Sequence, residues 1–376
     1  MRPKARAIPR QTPGCPLGPV HRRVDASVCP PVFALLRNLF FSRCEKCELG
    51  APQILVSGSG SGTILAIVLP WKAIVHIPDG FLSTPVWATM DVAAAPAVGY
   101  IVRRAQRGFD DSRVPLLGVM GAFVFAAQMI NFPVGIGTTS HLVGGALLAY
   151  TLGPAAASVV MSAIIAIQAL VFQDGGILAM GANLINMALV GVLAGYLPFY
   201  LWGGGRWRKL AIFSGGALSL MASAVLALAE LLVSGVPMPS SVLGVSLALF
   251  AVSALLEGAI TLAVIEALET IQPGFVRKPE TGRSFVLGAI GLAAVLLAAV
   301  GVLVASTAPD GIEKLGLQTG IALHVRSLVT TPLTGYQAAF FQAGWLRKAS
   351  AGLAGLALIY AACLLIGRAV ARKRSV

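Results

Sequence analysis

The sequence predicts an all-α fold, a polytopic helical bundle that is embedded in a membrane. Hydrophobic residues make up 57% of the chain and charged residues only 11%, whereas a soluble domain carries about 25% charged residues. The mean hydropathy is +0.83. The apolar residues form long segments, and Lys and Arg are concentrated in alternate loops between them. This combination is typical of a membrane protein of the helical class.

The first 74 residues do not follow this pattern. They mix Pro, Arg and Cys without a period of 2 or 3.6 residues, and their apolar run at 64–70 is too short to cross a bilayer of about 30 Å. We interpret residues 1–74 either as a basic leader or as the product of a misassigned start site. In the second interpretation Val75 is the true first residue, because a GTG initiation codon is conceptually translated as Val.

Nine apolar segments follow, and they divide the chain into two membrane units. Residues 75–270 form a predicted seven-span core. Residues 271–284, which contain two Pro and two Gly, form a linker, and residues 285–376 form a two-span unit with a long external loop. The predicted spans are 81–102, 115–131, 139–153, 156–173, 177–202, 209–234, 241–267, 285–306 and 350–367.

Charge placement predicts the orientation of these spans. If the residue 75 end lies outside, the inside loops hold 14 of the 18 Lys and Arg residues that follow it. This distribution agrees with the positive-inside rule. We therefore expect a multi-pass protein of the inner (plasma) membrane, and we attribute the basic net charge to loop placement and not to nucleic-acid binding.

Two histidines are placed to meet at the outside end of the core. His76 precedes a Pro-Asp-Gly turn just ahead of the first span, and His141 opens the third span after an uncharged loop. Imidazole is a good ligand for nickel, cobalt, copper and zinc. We predict that the two rings meet around one divalent metal ion; the alternative is that they are unrelated.

The position of His76 next to Val75 adds further nitrogen donors to this hypothesis. If Val75 is the N-terminus, its free amine, the amide nitrogen of His76 and the His76 imidazole close two fused chelate rings. His141 then supplies a fourth nitrogen. A tetragonal set of nitrogen donors favours Ni(II) or Cu(II), and deprotonation of the amide would make metal uptake release protons.

A third polar block follows the fourth span. Asp174 lies in an outside turn, and Asn183 and Asn186 lie one turn apart on the next helix. These side chains are candidates for hydrogen bonds that orient the His-bearing loops. The equal alternative for the two asparagines is helix–helix association, for which membrane Asn residues commonly serve.

These blocks together resemble the CbiM/NikM family. The resemblance rests on HIPDGFL from His76, the loop before His141, IQALVFQDGG at 167–176 and GANLINM at 181–187. It implies a substrate-binding S component of an energy-coupling-factor ABC transporter for cobalt or nickel. It also implies metal ligation by Val75, His76 and His141, and it covers about residues 75–270. The family has nothing before the residue that corresponds to Val75, whereas this chain has 74 residues there.

The C-terminal unit carries a second resemblance. The stretch PDGIE at 309–313 is similar to the PDGLE motif of the small NikN/CbiN-type component, with Ile312 where Leu is usual. The resemblance implies a NikMN-like fusion in which this unit assists metal loading. The Pro-Asp form of the opening block favours nickel over cobalt as the transported ion.

We therefore expect a transporter subunit and not an enzyme, with Ni²⁺ or Co²⁺ as substrate and no cofactor. The sequence contains no GxxxxGK[ST] motif for ATP binding, so the resemblance implies a transmembrane coupling subunit and two ABC ATPase subunits as partners. One alternative is a stand-alone ion-coupled metal transporter that uses Glu230 and Glu257 as an acidic relay. A second alternative, a membrane metalloenzyme, lacks a general base at motif spacing.

Overall fold

The computed structural model describes most of the chain from His76 onward. The predicted leader at 1–74, Val75 and most of the predicted linker lie outside the described residues. The described ranges are 76–108, 110–135, 138–276, 285–301, 303, 305–306, 308–325 and 328–370.

The structure is built almost entirely from helices. Three of these helices carry π-helical stretches. One stretch, Gln168–Phe172, continues the helix α4; a second, Leu184–Gly191, lies inside α5; and a third, Leu297–Gly301, continues α8. The helices are α1 Thr84–Gly108, α2 Val114–Gln128, α3 Gly145–Leu152, α4 Pro154–Ile167, α5 Met180–Trp202, α6 Arg208–Val233, α7 Ser240–Ile271, α8 Phe285–Leu296, α9 Gly311–Thr319 and α10 Gly344–Val370.

The predicted fold class is confirmed. Among the described residues, six helices are long and apolar enough to cross a membrane, namely α1, α4 with its π-helical extension, α5, α6, α7 and α10. Large apolar side chains such as Val92 and Tyr200 remain exposed on their outer faces. Such exposure suits a surface that contacts lipid.

The predicted third span, 139–153, has a different structure. Residues Phe132–Gly135 (β1) and Thr138–Ser140 (β2) pair as a short antiparallel hairpin, and the helix that follows, α3, has only eight residues. At 1.5 Å per residue α3 is about 12 Å long, which is too short to cross a bilayer. Gly153 and Pro154 end α3 and begin α4, because Pro is well accommodated in the first turn of a helix.

The described residues of the two predicted membrane units pack into one compact body. Helix α10 lies directly against α2, where small residues allow close approach. A Cβ atom at Gly121 would lie 2.7 Å from Cys363 Sγ, so a larger residue would push the two helices apart. The C-terminal unit is therefore an integral part of the bundle that carries the two histidines.

Candidate metal site

His76 and His141 lie together in the interior of the protein, although they are 65 residues apart in the sequence. Both side chains have 0% exposure. Their rings are stacked, with 6.2 Å between centroids and 26° between planes. A fully buried imidazole needs polar partners, because burying an unpaired polar group costs free energy.

The segment around His76 is fixed to the turn that precedes α5. The Asp79 carboxylate accepts hydrogen bonds from the backbone amides of Ile177 and Leu178 at 2.9 and 2.7 Å. The Asn183 side chain bonds to both backbone groups of Ile77, accepting from its amide at 2.8 Å and donating to its carbonyl at 3.1 Å. These long-range bonds hold His76 in place through its neighbours.

Gly176 allows this close contact between the two segments. Its amide donates to the carbonyl of Ile77 at 2.8 Å. A Cβ atom at Gly176 would lie 2.3 Å from Asp79 Oδ1. Only glycine therefore fits at this position without displacing the His76 segment.

The His141 loop is held by side chains from two other helices. Both carboxylate oxygens of Glu257, near the middle of α7, accept hydrogen bonds at 2.8 Å from the amides of Val143 and Gly144. Gln128, the last residue of α2, donates to the carbonyl of Val143 at 2.7 Å. The loop can therefore remain irregular inside the protein, because its backbone groups are satisfied by side chains.

The His141 ring has one nitrogen whose lone pair is available to a ligand. Its Nδ1 lies 2.5 Å from the carbonyl of Leu142, which fixes the proton on Nδ1 and leaves the lone pair on Nε2. Burial, followed by the neighbouring His76, lowers the pKa of His141 to about 4. The ring is therefore neutral at physiological pH, which is the form that binds a metal.

Asp174 faces His76 from the turn between α4 and α5. Its Oδ1 lies 3.4 Å from His76 Nδ1, and its Oδ2 accepts a hydrogen bond from the Tyr336 hydroxyl at 2.5 Å. Burial alone would raise the pKa of Asp174, but His76 and the Tyr336 hydroxyl outweigh it and hold the pKa below its usual value. Asp174 therefore supplies negative charge beside the two imidazoles.

Several polar atoms at this place are buried and have no hydrogen-bond partner among the described residues. They are His76 Nδ1, His76 Nε2, His141 Nε2 and Asp174 Oδ1. Buried polar groups are nearly always satisfied in folded proteins. Nitrogen and oxygen atoms of these kinds can bind a divalent cation. The described residues nevertheless contain no group of three or more His, Cys, Asp or Glu side chains that could hold a metal ion.

The other predicted site residues divide into two groups. Asn183 contacts the His76 segment, whereas the Asn186 side chain donates to Glu230 on α6 at 2.9 Å, away from both histidines. Asn186 thus joins two helices. Val75 lies outside the described residues.

Three groups that contribute here are not among the site residues that the sequence predicts. Gln128 and Glu257 were visible as polar residues within apolar spans, which is a signal of functional or structural importance. Tyr336 lies in the long loop of the C-terminal unit, where the sequence gives no comparable signal.

The C-terminal unit covers the site from one side. The amide of Thr139, two residues before His141, donates to the carbonyl of Pro309 at 2.9 Å, and the Lys314 ammonium donates to the Thr138 hydroxyl at 2.7 Å. Asp310 caps α9 by accepting from the Glu313 amide. The PDGIE stretch therefore lies directly on the hairpin that leads into His141.

Comparisons with known proteins identify the family of this chain. The family model described as "Cobalt uptake substrate-specific transmembrane region" (CbiM) matches residues 76–275. A Haloquadratum walsbyi protein named for metal transport is 39% identical over 209 residues, which are 54% of this chain and 93% of that protein. An Archaeoglobus fulgidus protein named as a fused nickel transporter, NikMN, is 35% identical over 209 residues, covering 54% of this chain and 68% of that protein.

A solved structure is also similar. The crystal structure of a truncated transition metal transporter is 35% identical, with a TM-score of 0.47, and the match covers 52% of this chain and 98% of that one. The family model and the relatives together place this multi-pass membrane protein in cobalt and nickel transport. The chain belongs to the CbiM family of cobalt and nickel transport proteins.

Proposed function

We propose that this protein is the substrate-capture component of an ATP-driven nickel or cobalt importer of the energy-coupling-factor type. The observation that carries the proposal is the pair of stacked, fully buried imidazoles of His76 and His141, which leave ring nitrogens without a hydrogen-bond partner among the described residues. A divalent cation would satisfy these atoms, and a bound cation would compensate the cost of burying them.

The proposed ligands are the His76 and His141 imidazoles, the amide nitrogen of His76 and the free amine of residue 75. The amine requires a mature protein that begins at Val75, and N-terminal sequencing of the purified protein tests this directly. A tetragonal set of nitrogen donors favours Ni(II) over Co(II). The nickel-transport name of the Archaeoglobus relative supports the same preference.

Metal titration of the purified mature protein in detergent, in the form whose N-terminus the sequencing has identified, tests the site. His141→Ala removes a ligand, and we expect it to weaken nickel binding at least about 100-fold, because neighbouring groups cannot replace the lost bond. His324→Ala is the matched control, since this histidine has an exposed side chain in the C-terminal unit. Equal nickel affinity of the His141→Ala variant and the unchanged protein would refute the site.

The proposed partners are a transmembrane coupling subunit and two ABC ATPase subunits. Family membership supports this proposal, and the sequence contains no Walker A motif of its own. In this mechanism the cation is captured from outside and released inside when the ATPases drive a conformational change. No covalent chemistry takes part.

Nickel uptake by proteoliposomes separates this proposal from a stand-alone ion-coupled transporter. Vesicles that contain the protein alone should accumulate no nickel, and addition of the partner subunits and ATP should start accumulation. Accumulation by the protein alone, driven by an ion gradient, would favour the alternative. Glu257 is engaged in holding the His141 loop, which leaves that alternative without one of its two candidate relay residues.

A further inference from the structure

Tyr336 is a residue of the C-terminal unit that reaches the candidate metal site in the core. Its hydroxyl donates to Asp174 Oδ2 at 2.5 Å, and the ring is 5% exposed. The other oxygen of the same carboxylate, Oδ1, faces His76 Nδ1 at 3.4 Å. Because one oxygen is held by Tyr336, the second oxygen has a defined direction towards His76.

The hydrogen bonds continue from Tyr336 to the loop of the second histidine. Gln168 Nε2 donates to the Tyr336 hydroxyl at 3.1 Å and to Gln128 Oε1 at 2.9 Å. Gln128 Nε2 then donates to the carbonyl of Val143, two residues after His141. In each of these bonds an N–H or O–H group donates to an oxygen atom. The bonds therefore form a continuous path from the His76 side of the site to the His141 side.

The Tyr336 ring has its own rigid support. It stacks on Phe172 with 4.8 Å between ring centroids and lies 6.2 Å from Phe125. Burial, and then the nearby Asp174, raises the pKa of Tyr336 well above its usual value. The hydroxyl therefore stays protonated and acts as a donor to the carboxylate.

The backbone on both sides of this hydrogen bond is strained. Among the described residues, the non-glycine residues with positive φ are Gln173, at 54°, and Tyr336, at 57°. A left-handed conformation costs a non-glycine residue about 1–2 kcal/mol. Gln173 directly precedes Asp174, so the two strained positions are the tyrosine itself and the residue next to the carboxylate. Backbone strain of this kind is concentrated at functional sites.

We infer that Tyr336 is a positioning residue of the metal site, by which the C-terminal unit holds the Asp174 carboxylate against His76 and so orients this ligand of the cation. This inference rests on the proposed function of that site. It assigns to the C-terminal unit a contribution to metal affinity that acts from one hydroxyl group through Asp174 and His76, in addition to its packing on the hairpin.

Tyr336→Phe tests the inference, because it removes the hydroxyl and keeps the stacked ring. Nickel titration of the mature protein in detergent should show affinity reduced about 10- to 100-fold, the usual effect of losing a group that orients a metal ligand. The ligand-field absorption of bound Ni(II) should also shift, since the carboxylate next to the site changes direction. A purely structural role would leave that spectrum unchanged.

A double-mutant cycle with Asp174→Asn isolates the mechanism. If Tyr336 acts through Asp174, Tyr336→Phe should have no further effect on nickel affinity in the Asp174→Asn background. Independent, multiplicative losses of affinity in the two variants would overturn the inference.

Tyr150→Phe provides a matched control. Tyr150 is a buried tyrosine whose hydroxyl donates to the carbonyl of Gly195 at 2.8 Å, away from the histidines. This variant should lose stability through the missing hydrogen bond and keep its nickel affinity. Unchanged affinity and spectrum in Tyr336→Phe would overturn the inference while the proposed function stands, whereas the absence of nickel and cobalt binding in the unchanged protein would overturn both.

Discussion

One end of the α6–α7 helix pair and the interior of the bundle use polar residues in different ways. Where α6 begins and α7 ends, Arg208 pairs with Glu269 and Lys209 with Glu266, at 2.6 and 2.7 Å. The Lys209 pair is on the surface, with the Lys209 side chain 72% exposed, whereas the side chains of the Arg208 pair are only 17% and 20% exposed. Both pairs join the two neighbouring helices.

Deeper in the bundle, the polar side chains bind backbone groups from distant parts of the sequence. Glu257 is 0% exposed and holds a loop 114 residues away, and Asn183 holds Ile77, 106 residues away. A buried side chain bonded to backbone amides fixes one conformation, because any other arrangement leaves polar groups unpaired. The protein therefore fixes the conformation of the candidate site by buried side chain–backbone bonds. The ion pairs of α6 and α7 join only these two helices and do not contact the site.

Removal of the Glu257 carboxylate should have the largest effect on stability and on nickel affinity. In Glu257→Ala the amides of Val143 and Gly144 lose their acceptors inside the bundle, so we expect the free energy of unfolding to fall by about 3 kcal/mol. Nickel affinity should fall at least about 10-fold, because the His141 loop is no longer held. Denaturant titration and calorimetry in detergent measure the two effects, and Glu257→Gln, which keeps one acceptor oxygen, should lie between.

Removal of the Asn183 amide should have the next largest effect. Asn183→Ala deletes both hydrogen bonds to Ile77, at a cost of about 2 kcal/mol in stability. Nickel affinity should decrease together with stability, because His76 is adjacent to Ile77. Asn186→Ala is the comparison variant. It removes a buried side chain–side chain bond to Glu230 and no bond to the His76 segment, so it should destabilise the protein and leave affinity unchanged. An equal loss of nickel affinity in both variants would contradict the proposed difference between bonds to the His76 segment and bonds elsewhere in the bundle.

The smallest effect is expected for the surface ion pair. Lys209→Ala should change the free energy of unfolding by less than about 1 kcal/mol, since exposed pairs are weak and screened by salt. Its nickel affinity should equal that of the unchanged protein at low and high salt. A clear loss of affinity would show that the charged end communicates with the candidate site.

The sequence predicts the fold class and the central pair of residues for clear physical reasons. Long apolar segments have few alternatives to membrane helices, and His76 and His141 stand out because ionisable residues are rare in such segments. The short α3 was predicted as a span because composition does not separate a buried eight-residue helix from part of a membrane helix. Both are apolar, and only the tertiary structure distinguishes them.

The partners of polar residues were harder to predict than their presence. Gln128 and Glu257 were visible in the sequence, but their targets are backbone amides and carbonyls, which carry no sequence signal. Asn183 and Asn186 share a helix face, yet one binds the His76 segment and the other binds Glu230. Tyr336 was missed because a tyrosine in a long polar loop is common, and its role depends on a contact across 162 residues.

The backbone contact between Thr139 and Pro309 has a consequence for assembly. Because the two membrane units belong to one polypeptide, their docking is intramolecular, with an effective concentration that a short tether keeps high. Dilution in the bilayer therefore does not separate them, and each copy of the core is synthesised with one copy of its C-terminal unit. The contact therefore needs only modest affinity of its own.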